Sequence, residues 1–433
     1  MTINVIGGGL AGCEAAQIIA RANIPVRLWE MRPVNKTPVH QTGLLAELVC
    51  SNSLKSELSD TAQGLLKQEM KLLGSLLLEC AESSRVPAGG ALAVDRLQFS
   101  QLVTEKIKAL PNVEFVNQEV NVLPKDEICI IATGPLTSES FAEYLQRLTG
   151  SENLYFFDAI APSVTAQSLN NQKVFRASRY DKGTADYLNC PFTQEEYQRF
   201  YEQLIIADSV AVSAWDDKHY FQACMPIEAM GGKGIDTLCF GPMRPVGLIS
   251  PHTGDTPYAV VQLRQEDQEG EIYGLVGFQT RLRWGEQKQV FRLIPGLEQA
   301  EFVRFGSMHR NTFINSPQIL KPTLQSKEHD EILWAGQITG VEGYMESAAS
   351  GLLAGLNAVR MYKDLEPLTL PRDTLSGALI NYITTAPAKT FQPMNANFGL
   401  LPPLPERNRD KKKRASLYVS RALRAMTEFV NLL

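Results

Sequence analysis

The sequence lacks the features that define several common protein classes. None of its apolar runs approaches the roughly 18 residues that a membrane-spanning helix requires, so no membrane partner is expected. The N-terminus reaches a glycine turn at Gly7 with neither a basic flank nor an apolar signal core, which argues against export and predicts a cytoplasmic protein. The chain also lacks an excess of positive charge, because it has 42 Lys and Arg and 47 Asp and Glu, which gives a net charge of −5. Any nucleic-acid binding must therefore use a local basic patch.

Cysteine is scarce and irregularly spaced. The 433 residues contain seven cysteines, an odd number, with no Cys-x-x-Cys pair. A disulfide framework and a zinc site both fit this spacing badly. The five histidines show no metal-ligand spacing either. We therefore predict reduced thiols and no metal centre.

The first thirty residues contain a dinucleotide-binding pattern. An apolar strand at 3–6 runs into Gly-Gly-Gly-Leu-Ala-Gly at 7–12, which matches G-x-G-x-x-G. The first glycine of this motif makes a tight turn, the second lets the backbone approach a pyrophosphate, and the third lets the helix pack on the strand. A helix at 13–21 and a strand at 25–30 follow, and Glu30 ends that strand where a carboxylate accepts from a ribose hydroxyl. An incidental glycine turn is the alternative interpretation.

Two later segments favour FAD over NAD. The stretch 127–135 is an apolar strand ending in Ala-Thr-Gly, and 332–344 is a strand that runs into a second glycine-rich turn before a long helix at 345–358. This order resembles the second fingerprint of two-dinucleotide-fold flavoproteins, in which a helix N-terminus faces the flavin. Gln337 stands where an acid is usual, and an ordinary buried strand and helix is the alternative. No second G-x-G-x-x-G occurs, so a separate NAD(P)H domain is not predicted.

The predicted cofactor-binding residues come from these segments and include Arg32, two positions after Glu30. They are Gly7, Gly8, Gly9, Leu10, Ala11, Gly12, Glu30, Arg32, Thr133, Gly134, Gly336, Gln337, Gly340 and Val341.

The flavin signals lie at both ends of the chain, so the fold must bring these ends together. We predict an α/β fold in which 1–165 and 305–433 form a Rossmann-like FAD-binding domain and 166–304 form an inserted α+β domain that faces the substrate. Apolar residues at helical spacing predict a packed helix over 62–82 and an amphipathic one over 194–206.

Two cysteines have the polar surroundings of a reactive thiol. Cys50 precedes a polar run in which Lys55 could favour a thiolate, and Cys224 precedes Met225 and a glycine-rich turn. Buried structural thiols are the alternative interpretation of both.

The C-terminal segment is basic. From residue 401 onward eight cations stand against three carboxylates, a net charge of +5, and Lys411, Lys412, Lys413 and Arg414 are consecutive. A solvated helix end and a phosphate-binding patch both explain such a run.

These motifs together resemble one known family along nearly the whole chain. The sequence is similar to the folate- and FAD-dependent tRNA (uracil-5-)-methyltransferases of bacteria. The matching segments are 5–12 (VIGGGLAG), 48–55 (LVCSNSLK), 87–96 (PAGGALAVDR), 224–228 (CMPIE), 241–248 (GPMRPVGL), 308–312 (MHRNT), 336–344 (GQITGVEGY) and 391–400 (FQPMNANFGL). A sister family, which modifies the wobble uridine of tRNA, shares the flavin fold and a reactive cysteine but is usually longer.

The resemblance implies an enzyme that methylates C5 of the T-loop uridine at tRNA position 54, giving ribothymidine. It implies 5,10-methylenetetrahydrofolate as the carbon donor, FAD as the cofactor and NAD(P)H as the reductant. Uracil C5 is a poor nucleophile, and a thiolate that adds to C6 turns C5 into an enolate carbon. By matching positions, Cys224 is the predicted nucleophile and Cys50 the predicted base or second thiol, although the sequence does not fix the order.

The resemblance also implies contacts to folate, flavin or substrate from His309, Arg310, Asn311 and Glu342, and contacts to tRNA phosphates from the basic cluster at 411–414. Two alternatives stay open. One is the same chemistry on a ribosomal RNA uridine, and the other is an NAD(P)H-oxidising flavoprotein with another substrate.

Overall fold

The computed structural model describes residues 2–37, 39–151, 154–181, 184–210, 225–405 and 409–433. The predicted nucleophile Cys224 lies outside the described residues. The strands are β1 (Ile3–Ile6), β2 (Val26–Trp29), β3 (Ser53–Ser56), β4 (Arg85–Val86), β5 (Ala91–Val94), β6 (Val113–Val116), β7 (Cys129–Ile131), β8 (Leu154–Ala159), β9 (Ser163–Thr165), β10 (Phe175–Arg176), β11 (Leu188–Phe192), β12 (Ala259–Gln265), β13 (Ile272–Leu275), β14 (Phe302–Arg304), β15 (Met308–Phe313) and β16 (Ile332–Trp334). The helices are α1 (Leu10–Arg21), α2 (Ala62–Leu72), α3 (Leu76–Ser83), α4 (Arg96–Lys108), α5 (Glu139–Thr149), α6 (Gln194–Ile206), α7 (Ile227–Gly231), α8 (Thr237–Phe240), α9 (Trp284–Phe291), α10 (Ser316–Ile319), α11 (Tyr344–Tyr362), α12 (Leu375–Thr385) and α13 (Lys411–Val430).

A five-stranded parallel sheet positions the site. Its strand order is β16-β7-β1-β2-β6. The apolar strands β1, β7 and β16 are wholly buried, as expected where helices cover both faces of a parallel sheet. The chain steps from β1 to β2 on one side and later returns to β7 on the other, so the strand order reverses at β1. Such a switch point opens a ligand crevice at the carboxyl ends of the strands.

Helices α1 and α11 cross this sheet in close contact. Gly351 and Gly355 of α11 make the approach possible, because a Cβ at Gly351 would collide with the backbone of Ala11 and one at Gly355 would lie 2.9 Å from the backbone of Ala15. The contact joins the first flavin segment to the second, although more than 300 residues separate them in the sequence.

A second sheet, with the order β10-β11-β12-β13-β9-β14, is antiparallel. It has an apolar core of its own, which includes the rings of Phe192, Phe200, Phe278 and Phe291. Helix α6 packs there and has the bounds that the amphipathic spacing predicts, 194–206. The predicted domain boundaries near 165 and 305 stay predictions.

The antiparallel pair β8–β15 joins the two sheets. Met308 pairs with Ala159 and His309 with Asp158, so β15 carries the His309 cluster back toward the parallel sheet. Within β15 the N–H of Thr312 donates to the carbonyl of Pro135, in the turn that follows β7, at 2.8 Å.

The predicted helix over 62–82 is wrong in one respect, because the chain breaks there into α2 and α3. Gly74 lies in the break with φ of +76°, a conformation that other residues rarely adopt. Ser75 then begins α3, and its hydroxyl accepts from the N–H of Leu78 at 3.2 Å. Leucines continue at helical spacing on both sides of Gly74, so the hydrophobic period alone did not reveal the break between α2 and α3.

Buried Glu69 on α2 holds the start of α12. Its carboxylate accepts from the backbone N–H groups of Leu375 (2.6 Å) and Ser376 (2.8 Å), and from the Ser376 hydroxyl (2.6 Å). Burial raises the pKa of Glu69 to about 7, although these hydrogen bonds oppose the rise.

Glu69→Ala is expected to lower the free energy of unfolding by about 2–5 kcal/mol, because buried donors lose their acceptor. A raised pKa contributes stability at low pH that is lost as pH rises through about 7, so the loss should be larger at pH 6 than at pH 8. Urea unfolding measures both effects, with Glu105→Ala on the exposed side of α4 as the control. Equal losses in the two variants would contradict this role of Glu69.

Candidate active site

The carboxyl ends of the parallel strands surround a cavity at the switch point. Five residues predicted to bind the cofactor line it: Gly7, Gly9, Glu30, Arg32 and Thr133. They follow β1, β2 and β7, which are neighbours in the sheet. The glycine turn and the Ala-Thr-Gly segment, more than 120 residues apart, therefore meet at one cavity.

The three motif glycines have different surroundings. A Cβ at Gly12 would collide with the carbonyl oxygen of Gly7, so close packing of helix on strand requires the third glycine. Gly7 has φ of +109°, and a Cβ there would lie 2.5 Å from the Ala132 carbonyl oxygen. A Cβ at Gly9, by contrast, would meet no atom of the described residues within 4 Å. Open space beside the first turn of α1, whose N-cap Gly9 has no side chain, fits a bound pyrophosphate.

Glu30 and Arg32 bind each other at the cavity wall. Glu30 Oε1 accepts from the N–H (3.0 Å) and the Nε (2.9 Å) of Arg32, and Oε2 accepts from Arg32 Nη2 (3.0 Å) and the N–H of Gly8 (3.0 Å). Burial raises the pKa of Glu30, but Arg32 outweighs burial and the net pKa is lowered. A carboxylate has about four acceptor sites, and four donors use them here. A ribose hydroxyl must therefore share or displace a donor of Arg32.

The second flavin segment surrounds the N-terminus of α11. The N–H of Gly336 donates to Ser350 Oγ (2.7 Å), and the N–H of Gly340 donates to the Gln337 carbonyl (2.9 Å). Gln337 Nε2 donates to Glu342 Oε2 at 2.7 Å, so these two predicted contacts lie side by side. Among the described residues no side chain caps α11 at its N-terminus, although Glu346 lies in its first turn, so backbone N–H groups at the positive end of the dipole can face a ligand.

Cys50 is held at this same helix end. The hydroxyl of Tyr344, the first residue of α11, accepts from the backbone N–H of Cys50 (2.8 Å) and of Ser51 (3.1 Å). Burial raises the pKa of Tyr344 well above its usual range, and Cys50 adds to the rise. The half-buried thiol of Cys50 lies 4.0 Å from the carbonyl oxygen of Ala159, the β8 partner of Met308. The structure thus brings Cys50 to the junction of α11 with the strand pair that carries His309.

Three arginines surround the Cys50 loop. Arg264 of β12 donates to Asn52 Oδ1 (2.8 Å) and Ser51 Oγ (2.7 Å), and Arg96 donates to the carbonyl of Leu48 (3.2 Å). Arg96 and Arg304 also face Glu266, at 2.8 and 3.6 Å.

The charges in this cluster do not cancel, because three guanidinium groups face one carboxylate. Burial raises the pKa of Glu266, but Arg96, Arg304 and Arg264 outweigh burial and hold it at about 2. Burial lowers the pKa of Arg304 to about 10, and the charge of Arg96 adds to this. Three guanidinium groups and one carboxylate thus lie around the Cys50 loop.

The interpretation of Lys55 from the sequence requires correction. Lys55 Nζ forms an ion pair with Glu346 Oε1 of α11 at 3.1 Å, and Glu346 is almost fully buried. Its charge is balanced by this carboxylate, so the arginines supply the positive field around the thiol. Arg96, Arg264 and Arg304 lie on three separate elements, and no sequence spacing indicates that they converge.

Asn311 is the polar member of the His309 cluster whose environment is clearest. Its side chain is 1% exposed, and neither amide atom has a hydrogen-bond partner among the described residues. Because a buried amide without a partner costs about 1–3 kcal/mol, such a group indicates that a ligand atom completes the site. For Arg310 only the backbone position in β15, opposite Phe157, is described.

Sequence reasoning missed His40. It lines the cavity at the switch point, and its Nδ1 lies 2.6 Å from the hydroxyl of Thr37. Burial lowers the pKa of His40 to about 4, with the charge of Arg32 as the next cause and His309 among the others. His309 therefore lies within electrostatic range of the cavity wall. A lone histidine in an irregular stretch gives no pattern that could have indicated this.

Both ends of the segment that contains Cys224 are fixed. The N–H of Val210 donates to the carbonyl of Arg281 (2.9 Å), and the N–H of Ile227 donates to the carbonyl of Gln279 (2.7 Å). The described chain thus enters and leaves this segment beside residues 279–281.

The basic cluster at 411–414 is exposed and lies apart from the cavity, in the first turn of α13. Asp410 caps this helix, since its carboxylate accepts from the N–H groups of Lys412 (2.8 Å) and Lys413 (3.1 Å). The buried face of α13, which includes Ala422 and Met426, belongs to the same core as α2.

A membrane-spanning helix and a grouped set of metal ligands are both absent from the part of the chain that the structure describes. No helix there is long and apolar enough to cross a membrane. No three or more His, Cys, Asp or Glu side chains there are grouped as a metal site would require.

The parallel sheet, its glycine turn and the second segment at α11 define a flavoprotein of the dinucleotide-binding class. A family model described as glucose inhibited division protein A (GIDA) matches residues 2–366, and the chain belongs to this family. Two crystal forms of Aquifex aeolicus GidA share the fold, with TM-scores of 0.72 and 0.71 at 17% identity. They cover 100% of this chain, which in turn spans 74% and 76% of theirs. The predicted fold class is confirmed.

Closer relatives are the curated methylenetetrahydrofolate–tRNA-(uracil-5-)-methyltransferases TrmFO. The Syntrophomonas wolfei protein is 60% identical over 427 residues, which cover 99% of this chain and 98% of the relative. The Enterococcus faecalis protein is 55% identical over 428 residues, with the same coverage. The resemblance predicted from the motifs is confirmed.

Proposed function

We propose that this chain methylates C5 of a uridine in tRNA, with 5,10-methylenetetrahydrofolate as the carbon donor. FAD binds at the carboxyl edge of the parallel sheet, and NAD(P)H supplies the electrons. The full-length similarity to the tRNA (uracil-5-)-methyltransferases supports the reaction. The T-loop uridine as the target, NAD(P)H as the reductant and the cytoplasm as the location are our predictions.

The position of Cys50 is the observation that carries this proposal. A thiol beside a redox cofactor must lie at the flavin edge of the site, and Cys50 lies against Tyr344 at the start of α11. The buried amide of Asn311 and the open space at Gly9 support the presence of ligand atoms at these two positions. A flavoprotein that only oxidises NAD(P)H needs neither the thiol nor the arginines around it.

The chemistry assigns a task to each thiol. A thiolate, which we propose to be Cys224, adds to C6 of uracil, and C5 then attacks the one-carbon unit. A base, which we propose to be Cys50, removes the C5 proton, and departure of the thiolate restores the C5–C6 double bond. When bound and reduced by NAD(P)H, FAD would supply the electron pair that makes the transferred carbon a methyl group as the bond of this carbon to tetrahydrofolate breaks. Arg96, Arg264 and Arg304 stabilise the anionic form of groups at Cys50.

The basic cluster at 411–414 is the proposed contact to tRNA phosphates. Cations in the first turn of a helix oppose the helix dipole and cost stability there. Four consecutive cations at the start of α13, all exposed, therefore need a reason other than folding. A polyanionic partner provides one, and the net charge of −5 of the whole chain makes this local excess more distinct.

Replacing Lys411, Lys412, Lys413 and Arg414 by glutamine is expected to weaken tRNA binding and leave the flavin spectrum unchanged. Each phosphate contact contributes about 0.7–0.9 to the slope of log K against log salt, so the slope should fall by up to about 3. The control replaces four scattered exposed lysines, Lys36, Lys108, Lys125 and Lys363, and changes net charge equally. Equal slopes in the two variants would show that the cluster is only a solvated helix end.

Transfer of labelled carbon tests the reaction itself. Protein, unmodified tRNA, NAD(P)H and donor labelled in its methylene group should together give labelled RNA, and omission of NAD(P)H should prevent it. Oxidation of NAD(P)H without label in the RNA would favour the alternative, a flavoprotein with another substrate. When ribosomal RNA is supplied together with tRNA, label in the ribosomal RNA alone would favour the second alternative, methylation of a ribosomal RNA uridine.

A further inference from the structure

Three aromatic rings form a stack that ends at the protein surface. Trp284 stacks on Phe305 with ring centroids 5.4 Å apart and planes 17° apart, and Phe305 stacks on Phe302 at 5.4 Å and 16°. Phe302 and Phe305 are half-buried, whereas Trp284 is 65% exposed. Two rings thus support a third whose surface faces solvent.

Cations surround this stack. Lys288 Nζ lies 5.5 Å from the ring centroid of Phe305, and Arg283, next to Trp284, is exposed. From 281 to 292 four cations stand against one carboxylate, in a chain with a net charge of −5. Stacked aromatic rings with cations beside them are the composition that binds unpaired nucleotides, because each base offers a π-face and each nucleotide a phosphate.

The stack is held close to the active site. Gln287 of α9 fixes Gly306, since its Oε1 accepts from the Gly306 N–H (2.8 Å) and its Nε2 donates to the Gly306 carbonyl (2.9 Å). Phe305 precedes His309 by four residues, which span at most about 14 Å. An RNA whose target uridine reaches the His309 cluster therefore brings the neighbouring nucleotides near Trp284.

We propose that Trp284, supported by Phe305 and Phe302, binds a base that flanks the target uridine. This inference rests on the proposed tRNA substrate. Addition of the thiolate to C6 and approach of the one-carbon unit to C5 require the uridine to leave its stack in the RNA, and its departure uncovers a face of each neighbouring base. Trp284 covers one of these faces and replaces the lost base–base contact.

The first test compares substitutions at Trp284. Trp284→Ala should raise the Kd for unmodified tRNA by about 5- to 100-fold, the range for loss of one stacked base. Trp284→Phe should stay within about threefold of the wild type, because it keeps a ring, and Trp284→Leu should resemble alanine. Phe240→Ala is the matched control: Phe240 is 82% exposed and belongs to no ring pair among the described residues. FAD content should be the same in all four variants.

Salt dependence separates stacking from charge. Trp284→Ala removes no charge and should leave the slope of log Kd against log salt unchanged, whereas Lys288→Ala should reduce that slope by about 1. If Trp284→Ala bound unmodified tRNA as tightly as Phe240→Ala does, the proposal would be overturned. A Trp284→Leu variant that binds like the wild type would also overturn it, because a general apolar contact would then suffice.

The decisive experiment measures the Kd of the wild-type and Trp284→Ala proteins for tRNAs that lack one base, either 5′ or 3′ of the target uridine. If Trp284 stacks on one of these bases, Trp284→Ala should have no further effect on the tRNA that lacks it and its full effect on the other. An undiminished effect on both tRNAs would overturn the assignment to a flanking base. Label transfer by the wild-type protein to intact tRNA, measured in the same series, distinguishes that result from failure of the proposed function.

Discussion

Cys224→Ala is expected to abolish the covalent adduct between the protein and a tRNA that carries 5-fluorouridine at the target position. Fluorine at C5 cannot leave as a proton, so a thiolate that has added to C6 stays attached after C5 has accepted the one-carbon unit. Cys50→Ala should abolish methyl transfer, but we expect this variant to retain the adduct and FAD. The two variants therefore differ in whether the adduct forms. Loss of a catalytic thiol should reduce the rate by at least about 10³-fold.

Peptide mapping of the trapped species decides between the two thiols. Attachment at Cys224 is the expected result. Attachment at Cys50 would reverse the two roles, and attachment at neither would remove thiol addition from this mechanism. Cys13→Ala is the control, because Cys13 is fully buried on α1 and burial raises the pKa of its thiol well above the usual value.

Gly9→Leu is expected to give folded, colourless protein. A Cβ at Gly9 would meet no atom within 4 Å in the part of the chain that the structure describes, and the φ of −77° suits any residue, so the substitution should not disturb the fold. The leucine would fill the space that we assign to the pyrophosphate and should abolish FAD binding. The absorbance of the purified protein near the flavin bands, with circular dichroism as the check on folding, measures the two effects.

Gly285→Leu is the matched control for FAD content. A Cβ at Gly285 would likewise meet no atom within 4 Å among the residues that the structure describes, but this glycine lies on α9, outside the predicted cofactor site. It should keep the yellow colour of the wild type. Equal flavin content in the two variants would contradict the pyrophosphate site, and so would release of FMN or NAD from the wild-type protein.

Local sequence patterns predicted the parts of the site that lie within one short segment. The glycine run and the strand before it form β1 and the start of α1, because tight turns and close helix packing leave few residue choices. The capping box formed by Thr193 and Glu196 begins α6 where the amphipathic spacing predicts it. In each case the physical cause lies within a few residues of its effect.

Convergence of distant residues could not be predicted in this way. Tyr344 and Cys50 are 294 positions apart, and Arg264 and Ser51 are 213 positions apart, yet they share hydrogen bonds. Glu30 was predicted to bind ribose, and the hydrogen bonds of its carboxylate to Arg32 are a feature that no sequence period reveals. Lys55 was predicted to act on the Cys50 thiol, but its ion-pair partner is Glu346, which is far away in the sequence.

The position of the transferred methyl group tests the central claim most directly. Purified protein is incubated with unmodified tRNA, NAD(P)H and 5,10-methylenetetrahydrofolate labelled in the methylene carbon, and the RNA is then digested and each nucleoside located. The proposal predicts one labelled nucleoside, 5-methyluridine, at the T-loop position. Label at another nucleoside, or no label in tRNA under conditions in which NAD(P)H is consumed, would contradict it.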